Sequence, residues 1–199
     1  MSKIITISRE FGSGGRELGR RLAEELKIAY YDQEIVSEIA KRTELSEHYI
    51  RAVEERQPPF SFPIHIGRSF YPAPNPAWEQ HMTVYQEQSR IIREMADKSD
   101  CVIVGRCADY VLRDRKPLRL FVYAELESKM RRCREKAPAD EHLTDKELRQ
   151  KIRDMDKHRS KYYEFLTGNT WSDKLNYDLC INTTDQVIKD LVPVIARLF

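Results

Sequence analysis

Two patterns of hydrophobic and polar residues alternate along this chain: short runs rich in strand-forming residues, and longer stretches with helical spacing. The short runs predict strands. They are KIITIS (3–8), IAYYD (28–32), CVIVG (101–105), LRLFVYA (118–124) and YDLCINT (177–183). The run at 101–105 is apolar throughout, which is typical of a strand covered on both faces. Since helical stretches separate the runs, the sequence predicts an α/β fold with a five-stranded, mainly parallel sheet between layers of helices.

Helical spacing is clearest after the first predicted strand, where Leu18, Leu22 and Leu26 recur every four residues. The predicted helices cover residues 15–26, 33–42, 46–56, 78–98, 125–136, 144–163 and 183–199. Residues 57–77 are rich in proline and aromatic residues, so regular structure is not expected there. This segment is either a structured surface loop, or the wall of a pocket or a contact between subunits.

Candidate caps mark the ends of several predicted helices. Ser46 is placed to cap the helix that follows it. Thr144 and Glu147 have the spacing of a capping box, and Thr183 and Gln186 repeat that spacing. We expect the second pair to begin a C-terminal helix.

Composition and charge narrow the class of protein. The 199 residues predict one domain, and 41% hydrophobic with 33% charged residues is typical of a globular chain. The net charge of +2 lacks the basic excess of a dedicated nucleic-acid binder. The four cysteines show no zinc-ligand spacing. With no signal-peptide pattern and no stretch long enough to cross a membrane, we expect a cytoplasmic protein without membrane partners. The sequence does not decide the oligomeric state, and a homodimer is one of the possibilities.

The stretch ISREFGSGGRELG (7–19) lies between the first predicted strand and helix, where a phosphate-binding loop is expected. The strict P-loop pattern is G-x-x-x-x-G-K-[ST], but here Gly15 replaces the lysine and Arg16 replaces the hydroxyl residue. We expect the amides around Gly12, Ser13, Gly14 and Gly15 to bind phosphate.

Arg16 is the candidate to replace the missing lysine, because a guanidinium can bridge two phosphate oxygens. Its alternative is a side chain that points to solvent. Ser13 and Glu17 are the candidate ligands for a metal ion, with water as an intermediary. Asp32 follows the second predicted strand, where it either caps the next helix or contacts a metal or acceptor.

Other motifs occur in a fixed order after the loop: VIVGRCADYVL (102–112), the basic helix at 125–136, RDMDKHRSKYY (153–163) and YDLCINTTDQVI (177–188). Together with the loop, they resemble the cytidylate-kinase-like branch of the nucleoside monophosphate kinases. The resemblance runs over nearly the whole chain and is weakest across residues 43–85.

That resemblance implies a three-layer P-loop kinase core, spanning 1–199 as one domain. Residues 33–98 would form a helical insertion that binds the acceptor monophosphate, and 133–165 a helical lid. The implied reaction transfers the γ-phosphoryl group of ATP, with Mg²⁺, to CMP or dCMP.

The resemblance also implies roles for individual residues. Arg106 would bind the acceptor phosphate, Asp156 would lie near the acceptor's ribose, and Arg159 would lie near the phosphates. The residues expected to bind substrate are Asp32, Arg106, Asp109, Arg131, Arg132, Arg153, Asp156 and Arg159. Arg16, Arg106, Asp156 and Arg159 are the expected catalytic group, because phosphoryl transfer requires the convergence of positive charge.

One departure from the family pattern concerns base recognition. The aspartate that normally follows Gly-Arg is replaced by Cys107, and Asp109 lies two residues further on. Two alternatives to a cytidylate kinase stay open. The missing P-loop lysine and hydroxyl residue suggest a nucleotide-binding sensor without turnover, and Cys107 suggests a kinase whose acceptor is a non-nucleotide small molecule.

Overall fold

A computed structural model of the chain describes residues 3–43, 45–50, 76–138 and 141–199, with the backbone alone for 76–81. Its sheet contains β1 (Ile4–Arg9), β2 (Ala29–Tyr31), β3 (Cys101–Val104), β4 (Leu118–Tyr123) and β5 (Leu179–Asn182). Their order is β2-β3-β1-β4-β5, and every pairing is parallel. The predicted α/β fold with a five-stranded sheet is confirmed.

Helices connect the strands and cover both faces of the sheet. They are α1 (Gly15–Leu26), α2 (Gln33–Thr43), α3 (Pro76–Lys98), α4 (Ala108–Val111), α5 (Leu126–Glu135), α6 (Asp145–Thr167) and α7 (Ile188–Ala196). Helices α1 and α7 contribute to one apolar core, while α2, α3, α4 and the end of α6 contribute to the other. The sheet therefore lies between two helical layers.

Strand β3 explains why both faces are covered. Cys101, Val102, Ile103 and Val104 are all fully buried, and their side chains divide between the two cores. Because alternate residues of a strand point to opposite faces, a run that is apolar throughout needs helices on both sides.

Local sequence signals fixed several helix ends. The Thr144–Glu147 capping box is present: the Glu147 amide donates to Thr144 Oγ1, and the Thr144 amide donates to the Glu147 carboxylate. The Tyr49 amide donates to Ser46 Oγ, so Ser46 caps a helix whose continuation lies outside the described residues. The segment at 57–77 also lies outside them, apart from the start of α3.

The predicted C-terminal helix is present, but its predicted start and capping box were wrong. Helix α7 begins at Ile188, not at Thr183, and the Thr183–Gln186 capping box does not form. Thr183 Oγ1 instead donates to the Ser13 carbonyl at 2.7 Å, and Asp185 has a φ of +53°, which a helix cannot accommodate. The Thr183 side chain therefore bonds to the glycine-rich loop instead of capping a helix.

Candidate functional site: a cleft at the carboxyl ends of the strands

Parallel strands bring three sequence-predicted segments to one edge of the sheet. The glycine-rich loop follows β1, Asp32 follows β2, and the Gly105–Arg106 pair follows β3. These strands are neighbours in the order β2-β3-β1. The structure therefore brings together residues that are almost a hundred positions apart in the chain.

The loop between β1 and α1 has the backbone shape of an anion-binding turn. Gly12 and Gly14 have φ angles of +76° and +84°, which favour glycine, and Gly14 precedes the first residue of α1. The first amides of a helix have no acceptor within it, so those at the start of α1 are suited to phosphate oxygens. The Thr183 hydroxyl holds the loop in place by donating a hydrogen bond to the Ser13 carbonyl.

Two cavities open at this edge. The larger, which we call the cleft, has a volume of about 950 Å³ and is lined by the glycine-rich loop, Asp32, Arg132 and parts of α6. The smaller, which we call the small cavity, measures about 80 Å³ and is lined by Arg106, Cys107, Trp171 and their neighbours. Arg9, Arg16 and Arg159 line both. Three guanidinium groups therefore border the place where the cavities adjoin.

The Asp32 carboxylate forms an ion pair with Arg16, the residue predicted to replace the P-loop lysine. Arg16 Nε lies 2.6 Å from Asp32 Oδ2, and the Asp32 side chain is only 3% exposed. Its other oxygen, Oδ1, is buried without a hydrogen-bond partner among the described residues. Arg106 also reaches this point, because its Nε donates to the Asp32 carbonyl at 3.1 Å. Asp32 thus joins the second and third segments to the start of α1, through its carboxylate to Arg16 and its backbone carbonyl to Arg106.

The turn after β3 is strained. Gly105, Arg106 and Cys107 have consecutive φ angles of +77°, +60° and +54°. For a non-glycine residue this region costs about 1–3 kcal/mol and is found mainly where function requires it. The turn places Arg106 in the wall of the small cavity and buries Cys107 beside it.

A buried lysine, which the sequence analysis did not select, ties the loop to α6. Lys129 Nζ lies 2.9 Å from Glu10 Oε2 and 2.7 Å from Asp156 Oδ2. Asp156 Oδ1 accepts a hydrogen bond of 2.6 Å from the Phe11 amide. Burial alone would lower the pKa of Lys129, but its bonds to Asp156 and Glu10 raise the pKa above its usual value. The ammonium group is therefore charged, and it supports the loop.

Arg159, one turn further along α6, also contacts the loop. Its Nη1 donates to the Arg9 carbonyl at 3.2 Å, and its guanidinium carbon lies 5.6 Å from the centre of the Phe11 ring. Asp156 and Arg159 therefore act from the same face of the helix, as their spacing predicts.

Other predicted site residues lie elsewhere. Asp109 is buried in the core, where Tyr163 Oη donates to it at 2.6 Å. Arg131 pairs with Asp185 at 2.6 Å, and Arg153 is exposed; none of these three lines either cavity. Arg132 does line the cleft, and it donates to the Thr183 and Gln186 carbonyls.

The predicted metal ligands are differently placed. Ser13 is fully buried and its hydroxyl donates to the Glu10 carbonyl at 2.8 Å. Glu17 lines the cleft, and although burial opposes ionisation, hydrogen bonds from Lys136 and Arg21 lower its pKa. Within the described ranges, no cluster of three or more His, Cys, Asp or Glu residues forms a ready-made metal centre. Carboxylate oxygens suit Mg²⁺, which usually keeps several of its waters. Asp32 Oδ1 fits such an ion, because it accepts no hydrogen bond among the described residues, although Arg9 Nη2 lies 4.0 Å away.

Solved structures share this architecture. An uncharacterized protein from Eubacterium ventriosum is 26% identical, with a TM-score of 0.71 over 98% of this chain and 97% of that one. Shikimate kinase from Bacteroides thetaiotaomicron is 16% identical, with a TM-score of 0.59 over 100% and 98%. Shikimate kinase from Acinetobacter baumannii is 18% identical, with a TM-score of 0.54 over 100% of this chain and 92% of that one. The fold is that of the P-loop kinases.

A sequence profile of the cytidylate kinase-like family matches residues 4–185. This chain belongs to that family, as the ordered motifs predicted. A search of the curated proteins found no match. No helix among the described residues is both long and apolar enough to cross a membrane.

Proposed function

We propose that this protein transfers the γ-phosphoryl group of ATP to a nucleoside monophosphate, with CMP or dCMP as the preferred acceptor. The carrying observation is that Arg9, Arg16 and Arg159 line both cavities. Two polyanions repel each other, so a kinase needs fixed positive charge where donor and acceptor meet. Membership of the cytidylate kinase-like family supports this assignment.

Each element of the site has a task in this proposal. The amides at the start of α1 hold the donor phosphates, and Arg106 holds the acceptor's phosphate from the strained turn after β3. Mg²⁺, when bound, neutralises phosphate charge, and Asp32 Oδ1, with Glu17, is the oxygen donor that would hold its waters. Residues 33–98 supply the acceptor's surroundings. Residues 133–165 act as a lid that excludes water and presents Arg159, while Asp156, which lines neither cavity, holds the glycine-rich loop through the Phe11 amide.

The direct test is an assay of diphosphate formation. The pure protein is incubated with ATP, Mg²⁺ and each nucleoside monophosphate in turn. We expect turnover with CMP and dCMP, and expect Arg106→Gln to raise KM for the acceptor about tenfold or more, because a charged hydrogen bond contributes roughly 1.5–3 kcal/mol. Arg93→Gln is the matched control, because Arg93 pairs with Asp114 away from both cavities. Tight ATP binding without turnover on any acceptor would instead identify a nucleotide sensor.

One observation favours a second candidate, a kinase for a hydroxyl-bearing small molecule. Asp32 Oδ1 is buried and accepts no hydrogen bond among the described residues, although Arg9 Nη2 lies 4.0 Å away, and Asp32 lines the cleft. A carboxylate there is suited to accept a hydrogen bond from an alcohol, whereas it would repel an acceptor phosphate placed against it. Asp109, two residues after the base-recognition position, is buried and lines neither cavity.

Asp32→Asn separates the two candidates. With a hydroxyl acceptor, loss of the carboxylate should reduce kcat about 100-fold or more, because general-base contributions are typically of that size. With CMP, whose acceptor oxygen is already ionised, the reduction should be clearly smaller. An acceptor screen that finds only cytidine nucleotides would exclude the second candidate.

A further inference from the structure

Arg9, which no prediction selected, has a side chain that passes between two glycines. It is the last residue of β1, directly before the glycine-rich loop. A Cβ on Gly15 would lie 2.5 Å from Arg9 Cβ, and a Cβ on Gly105 would lie 1.8 Å from Arg9 Nη1. Both distances are far below van der Waals contact. Glycine at positions 15 and 105 therefore creates the passage that the side chain occupies.

This passage leads the guanidinium to where the cleft and the small cavity adjoin. Arg9 lines both cavities, its side chain is 16% exposed, and Nη2 lies 4.0 Å from Asp32 Oδ1. Arg16 also lines both, but its side chain is 58% exposed. Charges interact more strongly where water is excluded, so the Arg9 guanidinium has the stronger field at this point.

We propose that Arg9 is a catalytic residue that contacts the phosphoryl group during transfer and provides the positive charge that a P-loop lysine would provide. The inference rests on the proposed function. An acceptor phosphate oxygen attacks the γ-phosphorus, the bond from that phosphorus to the β–γ bridging oxygen breaks, and ADP leaves with the electron pair. Arg9 stays protonated throughout and stabilises charge on the equatorial oxygens.

The test compares two donor nucleotides in the absence of acceptor. Calorimetry measures the Kd of ADP and of ATP, each with Mg²⁺, for the parent, Arg9→Lys, Arg9→Gln and the surface control Arg93→Gln. We expect Arg9→Gln to weaken ATP at least tenfold and ADP less than threefold, because ADP lacks the γ-phosphoryl group. Arg9→Lys should recover part of the ATP affinity. Equal weakening of both nucleotides, or of neither, would overturn the role.

Kinetics and a double-mutant cycle test the passage. Arg9→Gln should lower kcat at least 100-fold with parent-like thermal stability. Gly105→Ala should also lower kcat in the parent, but by a smaller factor in the Arg9→Ala background, since the clashing guanidinium is then gone. The backbone strain at Gly105, whose φ is +77°, acts in both backgrounds and cancels when the two factors are compared. Independent, additive losses would show that the two residues do not meet as described.

These outcomes separate this inference from the proposed function. If the parent binds ATP and turns over while Arg9→Gln matches it, the role of Arg9 fails and the proposed function stands. If the parent turns over no acceptor but Arg9→Gln still loses ATP selectively, the phosphate contact stands and the proposed activity fails.

Discussion

Arg16 Nε lies 2.6 Å from Asp32 Oδ2, so the residue that follows the lysine position of the loop is paired with the carboxylate that follows β2. Asp32 is almost fully buried, whereas Arg16 is more than half exposed. Arg16 also lines the cleft. Under the proposed function, Arg16 would therefore contact a bound phosphate as well as the fixed Asp32 carboxylate.

Substitution of Arg16 tests its share in nucleotide binding. We expect Arg16→Ala to weaken Mg²⁺-ATP about tenfold or more, because charge-assisted hydrogen bonds contribute roughly 1.5–3 kcal/mol. Arg16→Lys should recover only part, since an ammonium cannot bridge two oxygens in the plane of a guanidinium. Calorimetry checks both. An Arg16→Ala protein that binds ATP like the parent would contradict the predicted role.

Gly14 offers a test of the loop's shape. A Cβ on Gly14 would lie 2.6 Å from Ile188 Cδ1, and its φ is +84°. We expect Gly14→Ala to abolish measurable ATP binding and to destabilise the fold. Gly168→Ala is the matched control: it has a φ of +71° but no atom within 4 Å. It should lose about 1–2 kcal/mol of unfolding free energy through backbone strain alone and bind ATP normally. Similar ATP affinities in both variants would disprove the steric argument.

Lys129 should be important for stability as well as for the loop. Its ammonium lies between two carboxylates with 8% of the side chain exposed. Lys129→Met leaves Glu10 and Asp156 facing each other without a counter-charge, and breaking a buried pair in this way typically costs about 3–5 kcal/mol. Urea unfolding measures the loss. Adding Glu10→Gln to Lys129→Met should restore part of it, and an unchanged midpoint would refute the explanation.

Asp109 gives a prediction for pH. Burial raises its pKa above the usual value, against the opposing effect of the Tyr163 hydrogen bond. The folded state therefore holds the proton more tightly than the unfolded chain. Folding stability is unaffected by this group below about pH 3.9 and decreases as pH rises from there through the raised pKa, by up to about 1.4 kcal/mol per pH unit.

Asp109→Asn removes that titration and can still accept the Tyr163 hydrogen bond. We expect the free energy of unfolding of Asp109→Asn, measured with urea, to exceed that of the parent by an amount that increases from pH 4 upward. The exposed Asp114 supplies the contrast, because its hydrogen bond with Arg93 lowers its pKa. The stability that this ion pair contributes is present above the unfolded pKa and is lost as pH falls. The free energy of unfolding of Asp114→Asn should therefore fall further below that of the parent as pH rises. Parallel curves for the two variants would rule out the assignment.

Patterns with a local cause were predictable from the sequence. Runs rich in apolar residues predicted the five strands of the described sheet. The signal was strongest for β1, β3 and β4, which are largely buried, and weaker for the edge strands β2 and β5, which are only partly buried. The Thr144–Glu147 box formed because both partners lie within one helical turn. Thr183 had the same local signal, but a hydrogen bond to the Ser13 carbonyl, distant in sequence, took its side chain. Only the folded arrangement decides between two such partners.

The site residues also divide into those that the sequence predicted and those that only tertiary contacts reveal. The glycine-rich loop, Asp32 and Arg106 were predictable, because each follows a strand and parallel strands end together. Arg9 and Lys129 were not selected, because Arg9 occupies a glycine position of the P-loop pattern and Lys129 is one of several basic residues on its helix. Only tertiary contacts distinguish Lys129, which is buried between two carboxylates, from the exposed Arg131.

The contact between Gly15 and Arg9 restricts how such a kinase could be converted into one with an ordinary P-loop. Any side chain at position 15 would begin 2.5 Å from Arg9 Cβ. Restoring the lysine therefore requires glycine at position 9 as well, because every other residue keeps the Cβ that would clash. Gly15→Lys alone would meet Arg9 Cβ, and Arg9→Gly alone would remove an arginine that lines both cavities, so neither single change restores an ordinary P-loop.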